Sequence, residues 1–114
     1  MHELGIVFHM IDTLTEVGAE NGLTSIARVT LDLGEVTGVV PSYLLDCWRW
    51  AADRTELLHG AELDVCQIDA VTVCNDCGRT YATLEHGKVC PHCASDNTEL
   101  LHGLEIEIRE VEGA

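Results

Sequence analysis

The stretch CNDCGRTYATLEHGKVCPHC places Cys74 and Cys77 in a C-x2-C pair and, after twelve intervening residues, repeats that pair at Cys90 and Cys93. A C-x2-C pair turns both sulfurs toward one point, and two pairs supply the four thiolates of a closed tetrahedral zinc site. Gly78 behind the first pair permits the positive φ a tight turn needs, and Pro91 stiffens the second. The surrounding segment, Ala70 to His102, is poor in large apolar side chains and cannot bury much core. Zinc at such a site contributes on the order of 10 kcal/mol, enough to order a segment without a core of its own. The twelve intervening residues suffice for a short hairpin through Tyr81 and a turn near His86-Gly87, so the segment reads as a zinc ribbon.

Two other chemistries fit the same residues. A reactive dithiol is weakened by the presence of two matched pairs and the lack of a thioredoxin-like βαβ context, while sequence does not separate zinc from iron in a four-thiolate site. His86 and His92 could stand in for a cysteine, although four cysteines already complete a closed site. Cys47 and Cys66 are single, and read as small, inert core residues.

A second group of donors stands at the start, Met1-His2-Glu3-Leu4. On residue types alone, Glu3 favours the dipole of a first helical turn and His2 is merely exposed. The chemical alternative is specific. The Met1 amine, the deprotonated His2 amide and the His2 imidazole can close adjoining chelate rings, a nearly planar nitrogen set that suits Ni²⁺ or Cu²⁺, with Glu3 as a further donor. Copper binds nitrogen donors more tightly than nickel, so a nickel preference would have to come from geometry or delivery.

These groups need a scaffold, and 114 residues suffice for one compact domain with a small appendage. Leu4, Val7, Ile11, Leu14 and Gly18 recur at helical steps, predicting a helix to about Glu20. Ala27, Val29, Leu31 and Leu33 alternate with polar residues, predicting a strand. Pro41 opens a second helix through Leu44, Trp48, Ala51 and Thr55 to about Leu58. Strands near Glu62 to Asp69 and through Leu104, Ile106 and Ile108 complete the pattern. The expectation is an α+β fold: two helices packed on a three-stranded sheet, residues 1–69 and 103–114, with a four-cysteine zinc ribbon inserted at 70–102. The hexapeptide TELLHG occurs at Thr55 to Gly60 and again at Thr98 to Gly103, and reads as a shared turn before two strands.

Twenty acidic residues against six Lys and Arg give a formal charge of −14, a field that repels phosphate backbones and argues against nucleic acid. Only Arg79 and Lys88 lie between the cysteine pairs, too few for a basic stripe, though a zinc-ribbon module that binds protein survives this objection. With no export signal and no long apolar span, the expectation is a cytoplasmic protein without a membrane anchor.

Taken together, Met1-His2-Glu3-Leu4, the strand exit Leu33-Gly34-Glu35 followed by Gly38-Val39 and Pro41, and the four cysteines with Cys90-Pro91 resemble the HypA/HybF family of hydrogenase maturation nickel metallochaperones over essentially the whole chain. The resemblance implies a non-catalytic carrier with a nickel-binding α/β domain joined to a zinc-ribbon domain. It implies Ni²⁺ as transferred cargo and Zn²⁺ as a structural ion, with delivery to the large subunit of [NiFe]-hydrogenase alongside a GTPase partner; a homodimer is compatible with it. By residue match, His2 carries over as the nickel ligand, Glu3 as its neighbour in the site, and Cys74, Cys77, Cys90 and Cys93 as zinc ligands. Gly5 stands where serine is frequent and Ala94 where glycine is frequent, and neither change removes a ligand. The carboxylate that some relatives supply before the second helix has no counterpart in Val39-Val40-Pro41.

Overall fold

Helical spacing of apolar residues begins almost at the first residue, and in the computed structural model, which describes residues 3–114, helix α1 runs Glu3–Asn21. Its buried face is Val7, Met10, Leu14 and Gly18. Leu4 is left 39% exposed because the buried stripe runs through Met10, whose flexible side chain fills the gap, rather than through Leu4 and Ile11.

The chain folds as two compact units. The first takes in the described chain up to Asp32, then Gly38–Cys66 and Glu107–Ala114. Strand β1 (Ile26–Gly34) lies at the centre of its sheet, between β2 (Glu62–Ile68) and β6 (Ile106–Gly113). Ile26, Val29 and Leu31 are buried, whereas Ala27 is exposed, because the alternation starts at Val29 and not two residues earlier. Helix α2 (Pro41–Ala52) packs against α1, burying Leu44, Trp48 and Ala51, and the Trp48 indole N–H donates to the Ala61 carbonyl at 2.9 Å. Pro41 occupies the first turn, where its missing N–H costs nothing.

The expected continuation of α2 to Leu58 does not occur. The Arg54 and Thr55 N–H groups reach back three residues to Ala51 and Ala52, which tightens and ends the helix, and a separate 3-10 turn at Glu56–Leu58 delivers Leu58 into the core. Leu57 packs onto Gly18, where an added Cβ would lie 3.0 Å from its Cδ2.

The second unit consists of Leu33–Thr37 and Gln67–Ile106. Strand β3 (Val71–Cys74) is flanked by antiparallel partners, β4 (Thr80–Ala82) and β5 (Thr98–His102), and a one-turn helix α3 (Thr83–His86) follows β4. The two copies of TELLHG therefore adopt different structures: the first holds the 3-10 turn, and the second is strand β5 itself. Pairing with β3 overrides the local preference of the same six residues.

Around Gly34 three segments of this unit cross closely. The Gly34 N–H donates to the Glu105 carbonyl, the Val36 N–H to Gly103 and the Glu35 N–H to Ile68, at 2.7, 2.9 and 2.9 Å. The Glu35 carboxylate accepts the Ala70 N–H at 3.2 Å. A Cβ on Gly34 would stand 2.0 Å from the Gly103 carbonyl oxygen, so only glycine allows this approach. The Glu105 carboxylate accepts the Gly103 N–H at 2.6 Å, and that bond holds its carboxyl below the usual carboxylate range.

Gly34→Ala should destabilise the chain by about 3 kcal/mol, since backbone must move to admit the methyl group, and the loss should appear as a lower urea midpoint. A carboxyl whose pKa is lower when folded contributes stability above its ordinary value of about 4.3 and loses it as pH falls through the lowered folded value. Urea titrations of native chain and Glu105→Gln should therefore differ at neutral pH and converge as the pH falls below the ordinary carboxylate range.

Candidate metal centre

Each cysteine pair closes a turn of the same design. In the first, the Cys74 N–H donates to Arg79 at 2.9 Å and the Gly78 N–H to Cys74 at 2.8 Å. In the second, the Cys90 N–H donates to Ser95 at 2.9 Å and the Ala94 N–H to Cys90 at 2.8 Å. Both turns need a left-handed residue directly after their second cysteine. Gly78 supplies it at φ 76°, and Ala94 supplies it at φ 62° against the clash of its own Cβ.

The paired turns bring four sulfurs together. All lie within 4.8 Å of one another, with Cys74 and Cys93 at 3.5 Å and Cys77 and Cys90 at 3.7 Å. A tetrahedron with Zn–S bonds of about 2.3 Å places its sulfurs about 3.8 Å apart, so the constellation fits one tetrahedral ion with little adjustment. The thiols are free, and their separations exceed the ~2.05 Å of a disulfide. Cys74 and Cys90 are buried with Tyr81 in a small core, while Cys77 and Cys93 face solvent. The Tyr81 hydroxyl donates to the Gly87 carbonyl at 2.9 Å, and His86 packs edge-on to the Tyr81 ring.

Electrostatics within the cluster are unequal. Backbone N–H groups of Cys77 and Asp76, with neighbouring thiols, lower the Cys74 thiol to about 7. The Ser95 N–H pulls the Cys93 thiol down, but hydrogen bonding to Cys74 and burial outweigh it and push that thiol up to about 12. Cys77 is also raised: the Arg79 N–H opposes the rise, and burial and the Cys90 thiol drive it. One thiolate forms readily, and its negative charge resists the next. A divalent cation reverses that logic by deprotonating every thiol it binds.

Among the described residues, the cysteines alone form a metal-ligating group. The His92 backbone N–H donates to Cys90 Sγ at 3.4 Å, and neither its ring nor that of His86 belongs to the cluster. Cys47 and Cys66 are half-buried rather than enclosed; Cys66 accepts a hydrogen bond from Arg109 at 2.9 Å. Of the N-terminal donors, Met1 and His2 lie outside the described residues. Glu3 opens α1, and its carboxylate accepts the Val40 N–H at 3.4 Å, at the start of α2. The sequence reading missed Asp76, Ser95 and Asn97, which link the two cysteine turns. Their only trace in sequence is position, since CNDCGR and CPHCAS align Ser95 with the turn-closing Arg79.

An α+β chain whose paired cysteine turns converge on one four-sulfur centre belongs to the class of small metal-binding proteins. Residues 1–113 match the family model described as hydrogenase/urease nickel incorporation, metallochaperone, hypA, and the chain belongs to this HypA family, whose members are metallochaperones and not enzymes. It is 37% identical over 93 residues to the hydrogenase maturation factor HypA of Chlorobium limicola, covering 82% of this chain and 79% of that protein. The HypA of Rhizobium leguminosarum bv. viciae is 32% identical over 93 residues, 82% of this chain and 81% of that one. The fold matches the solution structure of the Ni metallochaperone HypA from Helicobacter pylori with a TM-score of 0.76 at 24% identity, covering 99% of this chain and 97% of the other. A second solution structure, of a HypA protein, matches at a TM-score of 0.77 and 25% identity, covering 100% and 97%. Among the described residues no helix is long and apolar enough to cross a membrane.

The left-handed Ala94 yields a direct expectation. Glycine there removes about 1–2 kcal/mol of strain and gives back about 0.4–1 kcal/mol in unfolded-chain entropy. Ala94→Gly should therefore raise the urea midpoint slightly, by about 0.5 kcal/mol in stability, whereas Gly78→Ala should lower it by a similar amount.

Proposed function

We propose that this chain binds Ni²⁺ through its N-terminal residues and delivers it, in the cytoplasm, to the large subunit of a [NiFe]-hydrogenase, while Cys74, Cys77, Cys90 and Cys93 hold a structural Zn²⁺. The observation that carries the reading is the match of residues 1–113, N-terminal donors included, to a nickel-incorporation family. The structural ion is supported by sulfur spacing that fits a zinc tetrahedron.

In this reading the two metals are held by opposite designs. His2, with the Met1 amine and its own backbone nitrogen, offers an open set of nitrogen donors that an incoming ligand can displace. Glu3 stands beside them, with its carboxylate already engaged by the Val40 N–H, so it tethers the loop before α2 and lends negative charge near the cargo. The carboxylates of the whole chain, at a net charge of −14, attract a divalent cation. The four-cysteine centre is closed instead: zinc there ties together the turns around the small buried cluster of Cys74, Tyr81 and Cys90. A GTPase of the maturation machinery is the proposed partner in transfer, and the domains divide accordingly, nickel at 1–69 with 103–114 and zinc at 70–102.

Titration of Ni²⁺ into native chain, His2→Ala and a form with residues fused before Met1 tests the cargo site. Nickel affinity should fall by roughly tenfold or more in both altered forms, with zinc content staying at about one per chain as the control for folding. Equal nickel affinity in all three would remove the N-terminal site. Protonation of the imidazole and amine should also weaken nickel binding between neutral and mildly acidic pH, a dependence that His2→Ala should flatten.

A further inference from the structure

The residues between and after the cysteines build a polar bridge from one turn to the other. Asp76 lies between Cys74 and Cys77, and its carboxylate accepts the Ser95 hydroxyl and, at 3.3 Å, the Asn97 side-chain amide. The Asn97 backbone N–H donates to Ser95 Oγ at 3.1 Å, which fixes the hydroxyl from its other side. Asn75 adds two bonds to Asn97: its backbone N–H to the carbonyl at 2.9 Å and its side-chain amide to Oδ1 at 3.3 Å.

Ser95 is where this bridge meets the ligands. Its carbonyl accepts the Cys90 N–H, and its own N–H is directed at the Cys93 sulfur. The backbone of Ser95 thus holds both cysteines of the second turn, and Asp76 holds Ser95 from the first. Each turn carries one exposed sulfur, Cys77 in the first and Cys93 in the second, but the second has the greater tendency to open because it contains the strained Ala94. An exposed thiolate is the one that a competing chelator can displace first, and its departure requires the turn around it to swing away.

We propose that Asp76, acting through Ser95, is a positioning residue that latches the second cysteine turn closed and sets how fast the metal leaves through Cys93. The latch rests on the reading of the four-cysteine centre as a zinc site. Groups that orient metal ligands in this way commonly change metal affinity by about 10–100-fold when removed. Its members share one chain of hydrogen bonds, so breaking that chain at either end should have the same result.

The test follows transfer of Zn²⁺ from the full chain to EDTA in the native protein, Asp76→Ala, Ser95→Ala, the double variant, Ser95→Thr and Asp96→Ala. Asp96→Ala removes a neighbouring negative charge outside the bridge, and Ser95→Thr keeps the hydroxyl. Zinc should leave Asp76→Ala and Ser95→Ala about tenfold faster than native, and the double variant no faster than Ser95→Ala. Ser95→Thr and Asp96→Ala should release at the native rate. Co²⁺-loaded samples should keep their thiolate charge-transfer bands throughout, showing four sulfurs still bound. Native-like release from Asp76→Ala and Ser95→Ala, equally fast release from Asp96→Ala, or multiplied effects in the double variant would overturn the latch. Should Asp76→Ala fail to fold, Ser95→Ala against Ser95→Thr decides the matter, equal rates counting against it. A native chain without zinc overturns the zinc reading and the latch together, an outcome distinct from zinc that is held and released at one rate by every variant.

Discussion

Four thiolates cannot all lie within 4.8 Å of one another without a cation to bind them, and that constraint governs the second unit of this protein. Its hydrogen-bonded turns gather the sulfurs at tetrahedral spacing, yet the thiols resist ionising together: Cys74 sits near neutrality and Cys93 far above it. A divalent ion would supply what the polypeptide lacks. Bound there, it would neutralise the charge, expel the protons and join chain segments that meet around the small buried cluster of Cys74, Tyr81 and Cys90.

The first unit meets the stability problem by ordinary means. Apolar stripes on α1 and α2 and the inward face of β1 form a core that includes Trp48, Leu14, Leu31 and Leu44, all essentially free of solvent contact. Such a core needs no metal. A metallochaperone must release its cargo, which an open set of displaceable donors permits. In the proposed reading, a closed four-sulfur centre and an open nitrogen site at His2 divide the labour between holding and handing over.

Much of this was legible in the sequence because its signals are local. C-x2-C spacing located the sulfur centre, helical periodicity located α1, and Pro41 located the start of α2. What escaped depends on distant partners. TELLHG gave one expectation for two sites, and β3 pairing made a strand of one copy while the core drew the other into a 3-10 turn. The end of α2 was overrun because Leu58 is buried as a helical residue would be, but reaches the core by another backbone path. The Asp76, Ser95 and Asn97 bridge had no periodicity to betray it, since its side chains join residues about twenty positions apart.

The central claim is that two metals are held by chemically separate donor sets, and X-ray absorption at the zinc and nickel edges of the doubly loaded full chain tests it most directly. The zinc edge should show four sulfur scatterers at about 2.3 Å, and the nickel edge nitrogen and oxygen neighbours without sulfur. Sulfur around nickel, or a zinc shell short of four sulfurs, would contradict it.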